Sequence, residues 1–276
     1  MTLFTAPSLL SIRKGRFSLK GAVPHVFLIL LLVTLLSACA TRPPASDPEA
    51  VQIYEEINDP FEPFNRAVFS FNRTIDAYLL EPAARVYRKY GPPELREIVT
   101  NVVRNWLAPL TFVNDLLQGE LNRAAVTLKR FATNTTVGLL GIMDPATDFG
   151  LPYHSEDFGQ TLASWGVGDG PYIVLPILGP SGLRDTSGTV AEFFYDPVGL
   201  YLEHEGWTYV SYTRTGLRGL ASRERNLETL DELEKSSVDF YATLRSAYRQ
   251  NRAFEISNGR ISTEEDEDAL FDEPMD

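Results

Sequence analysis

The sequence predicts an all-α protein, and three observations carry that prediction. Apolar residues recur at steps of three and four, beginning with Phe64, Val68, Phe71 and Ile75. Helix starts are marked by proline at first-turn positions, as at Asp59-Pro60, Pro93-Glu94 and Ala108-Pro109. The one strand-like stretch, Tyr172–Leu175, is hemmed in by prolines and lacks a recognisable second strand, which argues against a sheet.

Before the first helix the chain reads as a secretory leader. Arg13, Lys14, Arg16 and Lys20 precede the apolar run from Val26 to Leu36 with no acidic residue among them. A basic start, an apolar core of that length and a small-residue cleavage site describe a signal peptide rather than a spanning helix. Leu36-Ser-Ala-Cys39 closes it and holds the single cysteine of the chain. These four residues resemble a bacterial lipobox, so residues 1–38 are expected to be removed and Cys39 to carry covalent lipid. Fatty chains contribute ~0.8 kcal/mol per buried methylene, and three of them anchor a protein firmly. Residues 39–52, rich in proline and small polar side chains, form an expected tether.

The folded domain is expected over 53–258, with Asp59 as N-cap of the first helix. Asn65, Arg66, Ser70, Asn72 and Arg73 lie opposite its aromatic stripe, and Glu81-Pro82 kinks or restarts the helix. A helix from Pro93 to about Trp106 and another from Ala108-Pro109 to Gln118 follow. Over Glu120–Val137, Leu121, Ala125, Leu128, Phe131 and Ala132 form the inward face, with Asn122, Arg123, Lys129 and Arg130 outward. Gly138–Gly150 is apolar, glycine-punctuated and stopped by Pro145, hence a hydrophobic loop. An irregular Gly/Pro-rich segment spans 151–182. Further helices are expected at Leu183–Phe194, about Trp207–Lys235 and Ser237–Phe254. Residues 259–276 form an expected disordered tail, since eight of the last fourteen are acidic.

Charge and composition exclude several functions. Without the leader the chain carries 21 basic and 37 acidic residues, a formal charge of −16. That balance disfavours nucleic acid and electrostatic adsorption to anionic lipid. No metal site is expected, because His204 in Glu203-His-Glu205 lacks a second histidine one turn away. His154, with Ser155 and Asp157 nearby, offers a weak esterase constellation without a Gly-x-Ser-x-Gly elbow. Gly166-x-Gly-x-Gly170 is followed by extended residues and is not a dinucleotide fingerprint.

Asp59-Pro-Phe-Glu-Pro-Phe-Asn-Arg66 with Phe71-Asn72, Phe112-Val-Asn-Asp-Leu-Leu-Gln-Gly119, and Arg130-Phe131 with Asn134-Thr135 stand in order along the chain. Gly138-Leu-Leu-Gly141, Asp157-Phe-Gly-Gln-Thr-Leu162, Trp165–Pro176, Gly179-Pro-Ser and Leu183-Arg-Asp185 continue the series. Together these motifs resemble the MlaA (VacJ) family of outer-membrane lipoproteins. The resemblance implies a ring-like multi-helix bundle in the inner leaflet of the outer membrane of a Gram-negative bacterium, facing the periplasm. It also implies an amphipathic channel that takes mislocalised phospholipid from the outer leaflet. The implied partners are a trimeric porin and a periplasmic carrier of the Mla pathway, MlaC-like. No cofactor beyond the lipid on Cys39 is implied.

On that reading Phe64, Val68, Phe71 and Asn72 support or line the lipid path. Leu139, Leu140, Ile142 and Met143 lie in a mobile or lipid-contacting loop. A lipid-cleaving esterase and a structural lipoprotein bracing a porin are the rival readings.

Overall fold

The computed structural model describes residues 57–259. Cys39, the leader, the tether and the acidic tail beyond residue 259 lie outside them. The described chain is predominantly helical, with one two-stranded hairpin. None of its helices is long and apolar enough to cross a membrane.

Helix α1 spans Glu62–Ile75. Asp59 does not cap it, contrary to expectation; the helix begins after Phe61. The Asp59 carboxylate is instead buried, accepting hydrogen bonds from Asn65 Nδ2 at 2.7 Å, the Tyr241 hydroxyl and Arg245 Nη1 at 2.7 Å. A carboxylate removed from water needs such donors, and distant ones displaced the local cap. The anticipated irregularity at Pro82 takes the form of a π-helical turn at Asp76–Leu80, leading into α2, Glu81–Tyr90. Pro82 has no N–H for the preceding turn, which favours this rearranged bonding.

Helix α3 runs unbroken from Pro93 to Leu117 with Pro109 inside it. The sequence reading broke it at that proline. An internal proline costs about 3 kcal/mol, a cost offset here by packing along the whole of α4, Leu121–Thr136. The hairpin between the two helices turns at Gly119, whose φ of +78° suits glycine.

The inward face expected of α4 is largely outward, and the aromatic stripe of α1 is split, with Val68 packed inward. Asn65 is fully buried, whereas Phe64 and Phe71 are exposed. On α4, Ala124, Thr127, Arg130 and Asn134 are buried, while Leu121 and Leu128 face outward. Among the described residues, buried polar or charged side chains outnumber buried apolar ones, nineteen to eleven. The apolar residues recur at helical spacing as expected, but few of them enter the core, Val68 being one that packs against it.

The apolar segment after α4 is bonded rather than free. Gly138 N donates to Thr133 O, Gly141 N to Asn134 O and Met143 N to Gly138 O, at 2.8–3.1 Å. It leads into the single turn α5, Pro145–Asp148, capped by Asp144. Helix α6, Phe158–Ser164, is capped by Asp157. It packs on α7, Leu183–Tyr195, so closely that a Cβ on Gly188 would stand 2.5 Å from Gly159 N.

Between α6 and α7, strand β1 (Tyr172–Leu175) pairs antiparallel with β2 (Gly179–Gly182), against the expectation of no sheet. Val174 faces Pro180 in the register, and its N–H goes to Asn65 on α1 instead. Proline therefore occupies a position where β2 has no ladder bond to donate. Tyr172, Val174 and Tyr241 form a small core, with Val68 and Phe69 packed against it.

Asp196 ends α7 and caps α8, Pro197–His204, a helix absent from the sequence reading. The expected long helix is divided at Asn226 into α9, Thr208–Arg225, and α10, Leu227–Ser236. The last helix, α11, runs Phe240–Ile256 with Asp239 as its cap. Arg252 on α11 ties α6 to α7 through Asp157 at 2.7 Å and Asp185 at 2.9 Å.

Candidate functional site

Among the described residues, a cavity of about 950 Å³ lies against the N-terminal half of α3. Helix α3 supplies Glu97, Thr100 and Arg104 to its wall, and the apolar segment supplies Ile142 and Met143. Both sides are mixed: α3 also brings Ile98, and the loop side also brings Asp144, Thr147 and Asp148. Glu224 of α9 completes it. Burial opposes ionisation of Glu224, but hydrogen bonds from Arg88 and Arg96 hold its carboxyl below the usual range.

The loop side is positioned by a buried clamp. Arg130 Nη2 donates to both oxygens of Asp144, at 2.8 and 2.7 Å, and Asn134 Nδ2 donates to Oδ1 at 2.8 Å. Asn134 Oδ1 also accepts the Ala146 N–H. Burial disfavours the charged Asp144, yet the bonds from Thr147, Asn134 and Arg130 keep its pKa low. Leu139 and Leu140, a few residues before Asp144, have φ of 53° and 61°, a left-handed conformation that leucine rarely adopts. Both are exposed apolar side chains.

Of the residues singled out in the sequence, Ile142 and Met143 meet at this cavity. Leu139 and Leu140 flank them on the outer surface. Phe64, Val68, Phe71 and Asn72 lie on the hairpin-bearing helix and are not among the cavity's lining residues. Val68 packs on the small core. Asn72 holds the hairpin tip, donating to Leu175 O at 2.9 Å and accepting from Ile177 N at 2.7 Å.

A smaller recess of about 270 Å³ shares Thr100 and Arg104 with the large cavity. An apolar recess of about 190 Å³, walled by Phe112, Leu128 and Phe131 among others, lies further along α3 and α4. Sequence reasoning missed Arg104 because an arginine on a long helix carries no signal until its partners are known.

The Ser–His–Asp grouping does not assemble as a triad. His154 Nε2 lies 3.1 Å from Asp115 Oδ1 and 3.1 Å from Thr127 Oγ1. Asp157 caps α6 and pairs with Arg252 instead. Asp115, His154 and Glu156 bring potential metal ligands within 4.8 Å of one another. The Glu156 carboxylate is already held by Arg123 and Gln118, so the local cation is a guanidinium. Burial nevertheless pushes the Glu156 pKa up, against those two bonds. This cluster braces α3, α4 and the segment before α6.

Outward apolar side chains, a largely polar interior and a cavity lined by residues of both kinds define an all-α protein of amphipathic build. The chain belongs to the MlaA lipoprotein family, whose model matches residues 57–255. It is similar to the intermembrane phospholipid transport system lipoprotein MlaA of Haemophilus influenzae, 35% identical over 84% of this chain and 92% of that protein. The protein of the same name from Escherichia coli is 35% identical over 77% of this chain and 84% of its own. A solved structure from work on the structural basis for maintenance of bacterial outer membrane lipid asymmetry superposes with a TM-score of 0.64. That chain is 34% identical, and the match covers 72% of this chain and 98% of that one.

Proposed function

We propose that this protein moves intact phospholipid between membranes, taking mislocalised lipid from the outer leaflet of the outer membrane. Lipidated at Cys39, it lies in the inner leaflet, meets a trimeric porin and passes its cargo to a periplasmic carrier. The ring-like enclosure implied by the resemblance belongs to the same reading. The observation that carries the proposal is the outward placement of large apolar side chains around a largely polar interior. Phe64, Phe71, Leu121 and Leu128 face outward, and the large cavity is lined by both polar residues and the apolar Ile98, Val137, Ile142 and Met143.

A body surrounded by acyl chains gains nothing from hiding its apolar side chains, so they turn outward and the polar groups bond to one another. Phe64 and Phe71 then contact acyl chains, while Ile142 and Met143 contact the cargo. A lipid headgroup needs polar company along its path, and the α3 wall provides it. No bond of the lipid is broken on this reading, in keeping with the naming of the relatives as transport lipoproteins.

The test measures outer-leaflet phospholipid in cells with and without the protein, alongside a hydrolysis assay on the purified lipoprotein. Transport requires accumulation of outer-leaflet phospholipid on loss of the protein, with no release of fatty acid by the purified chain. Fatty acid release that depends on His154 or Ser155 would establish the esterase reading instead. Unchanged asymmetry with an intact porin complex would establish the bracing role.

A further inference from the structure

Sixteen arginines fall within the described residues, and twelve of them pair with carboxylates. Arg249 bonds the Ile57 carbonyl. The other three, Arg104, Arg218 and Arg225, all line the recess of about 270 Å³ beside the main cavity. In a chain with a formal charge of −12, matched pairs are the default fate of a guanidinium. Arg218 is near enough to Glu192 to favour its ionisation but makes no ion pair among the described residues, so this concavity gathers guanidinium charge that an anion from outside would match.

Two helix faces build the recess. Thr100, Val103, Arg104 and Leu107 follow the i, i+3, i+4, i+7 spacing on α3, and Arg218, Ala221, Ser222 and Arg225 repeat it on α9. Each face thus presents arginine and a hydroxyl around small or apolar residues. The Arg104 guanidinium lies over the Tyr153 ring, 4.3 Å from its centroid, which fixes its plane. Arg225 Nη1 contacts Thr100 Oγ1 at 3.4 Å across the two helices. No carboxylate lines this recess, whereas Glu94, Glu97, Asp144, Asp148 and Glu224 line the cavity it adjoins.

We propose that Arg104, Arg218 and Arg225 form a phosphate subsite that receives the headgroup of a phospholipid while its tails occupy apolar surface nearby. The assignment rests on the phospholipid-transport reading and adds to it where the headgroup is held. Guanidinium groups match phosphate oxygens in geometry and charge. Their partial exposure keeps the contact weak enough for release, which a conduit requires.

The test uses the full lipidated protein in a neutral detergent. Its probes are fluorescent phosphatidylglycerol, a diacylglycerol with the same tails, and inorganic phosphate. Arg218→Gln and Arg225→Gln carry the argument, because both side chains are exposed and neither belongs to a buried ion pair. Each is expected to weaken phosphatidylglycerol binding about tenfold, as loss of one charge-assisted contact implies. Diacylglycerol binding is expected to stay the same, as is phosphatidylglycerol binding by Arg85→Gln, which alters a surface pair.

Wild-type affinity for phosphatidylglycerol in the Arg218→Gln/Arg225→Gln protein would overturn the subsite and leave the transport reading standing. Absence of binding of either lipid by the wild type would remove both. Inorganic phosphate bound as tightly as phosphatidylglycerol would identify the free ion as the ligand and overturn the headgroup assignment.

Discussion

Asn65 on α1 stands in for a neighbouring strand along the edge of β1. Its Nδ2 donates to Tyr172 O at 3.0 Å, and its Oδ1 accepts the Val174 N–H at 2.9 Å. One side chain thereby satisfies two backbone groups in a fully buried place, and it also donates to Asp59. Asn72, two turns further on, serves Leu175 and Ile177 in the same way. The hairpin is consequently fixed to the first helix by amides as well as by the apolar packing of Val68 and Phe69.

Replacing Asn65 by Ala leaves both strand groups unpaired where water does not reach. The expected loss is about 3 kcal/mol. Denaturant unfolding in detergent is the check. Asn72→Ala, at a more accessible site, is expected to cost about 1 kcal/mol.

Arg130 holds the loop side of the cavity through Asp144. Arg130→Ala strands a largely buried carboxylate and is expected to cost about 3 kcal/mol. Amide exchange across residues 138–147 should rise at the same time. Unchanged protection there would mean that the backbone bonds, not the clamp, position Ile142 and Met143.

Gly141 has a φ of +90°, and a Cβ on it would lie 2.6 Å from Asn105 Cβ. Gly141→Ala is therefore expected to destabilise by about 2 kcal/mol through strain and overlap together. Leu139→Gly and Leu140→Gly relieve left-handed strain instead, and should cost little. Comparing thermal midpoints of the three variants separates conformation from side-chain loss.

Acid has two opposite effects on this fold. Burial pushes Glu192 up to about 7, although the Phe158 N–H bonds its carboxylate at 2.8 Å. A raised carboxyl binds protons more tightly in the folded state, so its contribution falls as pH rises from about 4.5 to about 7. Glu192→Gln should flatten the stability profile in that window. Asp144, held low, contributes stability that is lost only in more acidic solution, as pH falls through its depressed pKa.

Phe71→Asp and Met143→Asp probe the two apolar surfaces separately. Phe71 is about half exposed, and burying a phenylalanine in acyl chains is worth about 2 kcal/mol. Phe71→Asp should raise outer-leaflet phospholipid by weakening the seating of α1 in lipid, at normal protein level. Met143→Asp should raise it by placing charge on the cargo wall. Normal lipid asymmetry in both variants, with normal protein levels, would count against these two roles.

The amino-acid sequence alone determined that this chain is helical, where most of its helices lie, and which family it resembles. Those properties live in local signals: apolar spacing, proline at helix starts, glycine at turns and short motifs in order. Val68 and Phe71 were visible as a stripe for that reason. Tertiary structure decided which face of each stripe turns inward, because spacing measures periodicity and not the solvent outside. It also placed Asp59 under Tyr241 and Arg245, set Pro180 where no ladder bond is needed, and ran α3 through Pro109. Arg104, Arg218 and Arg225 came together by the same route: their meeting depends on two helices more than a hundred residues apart, and no local pattern encodes that distance.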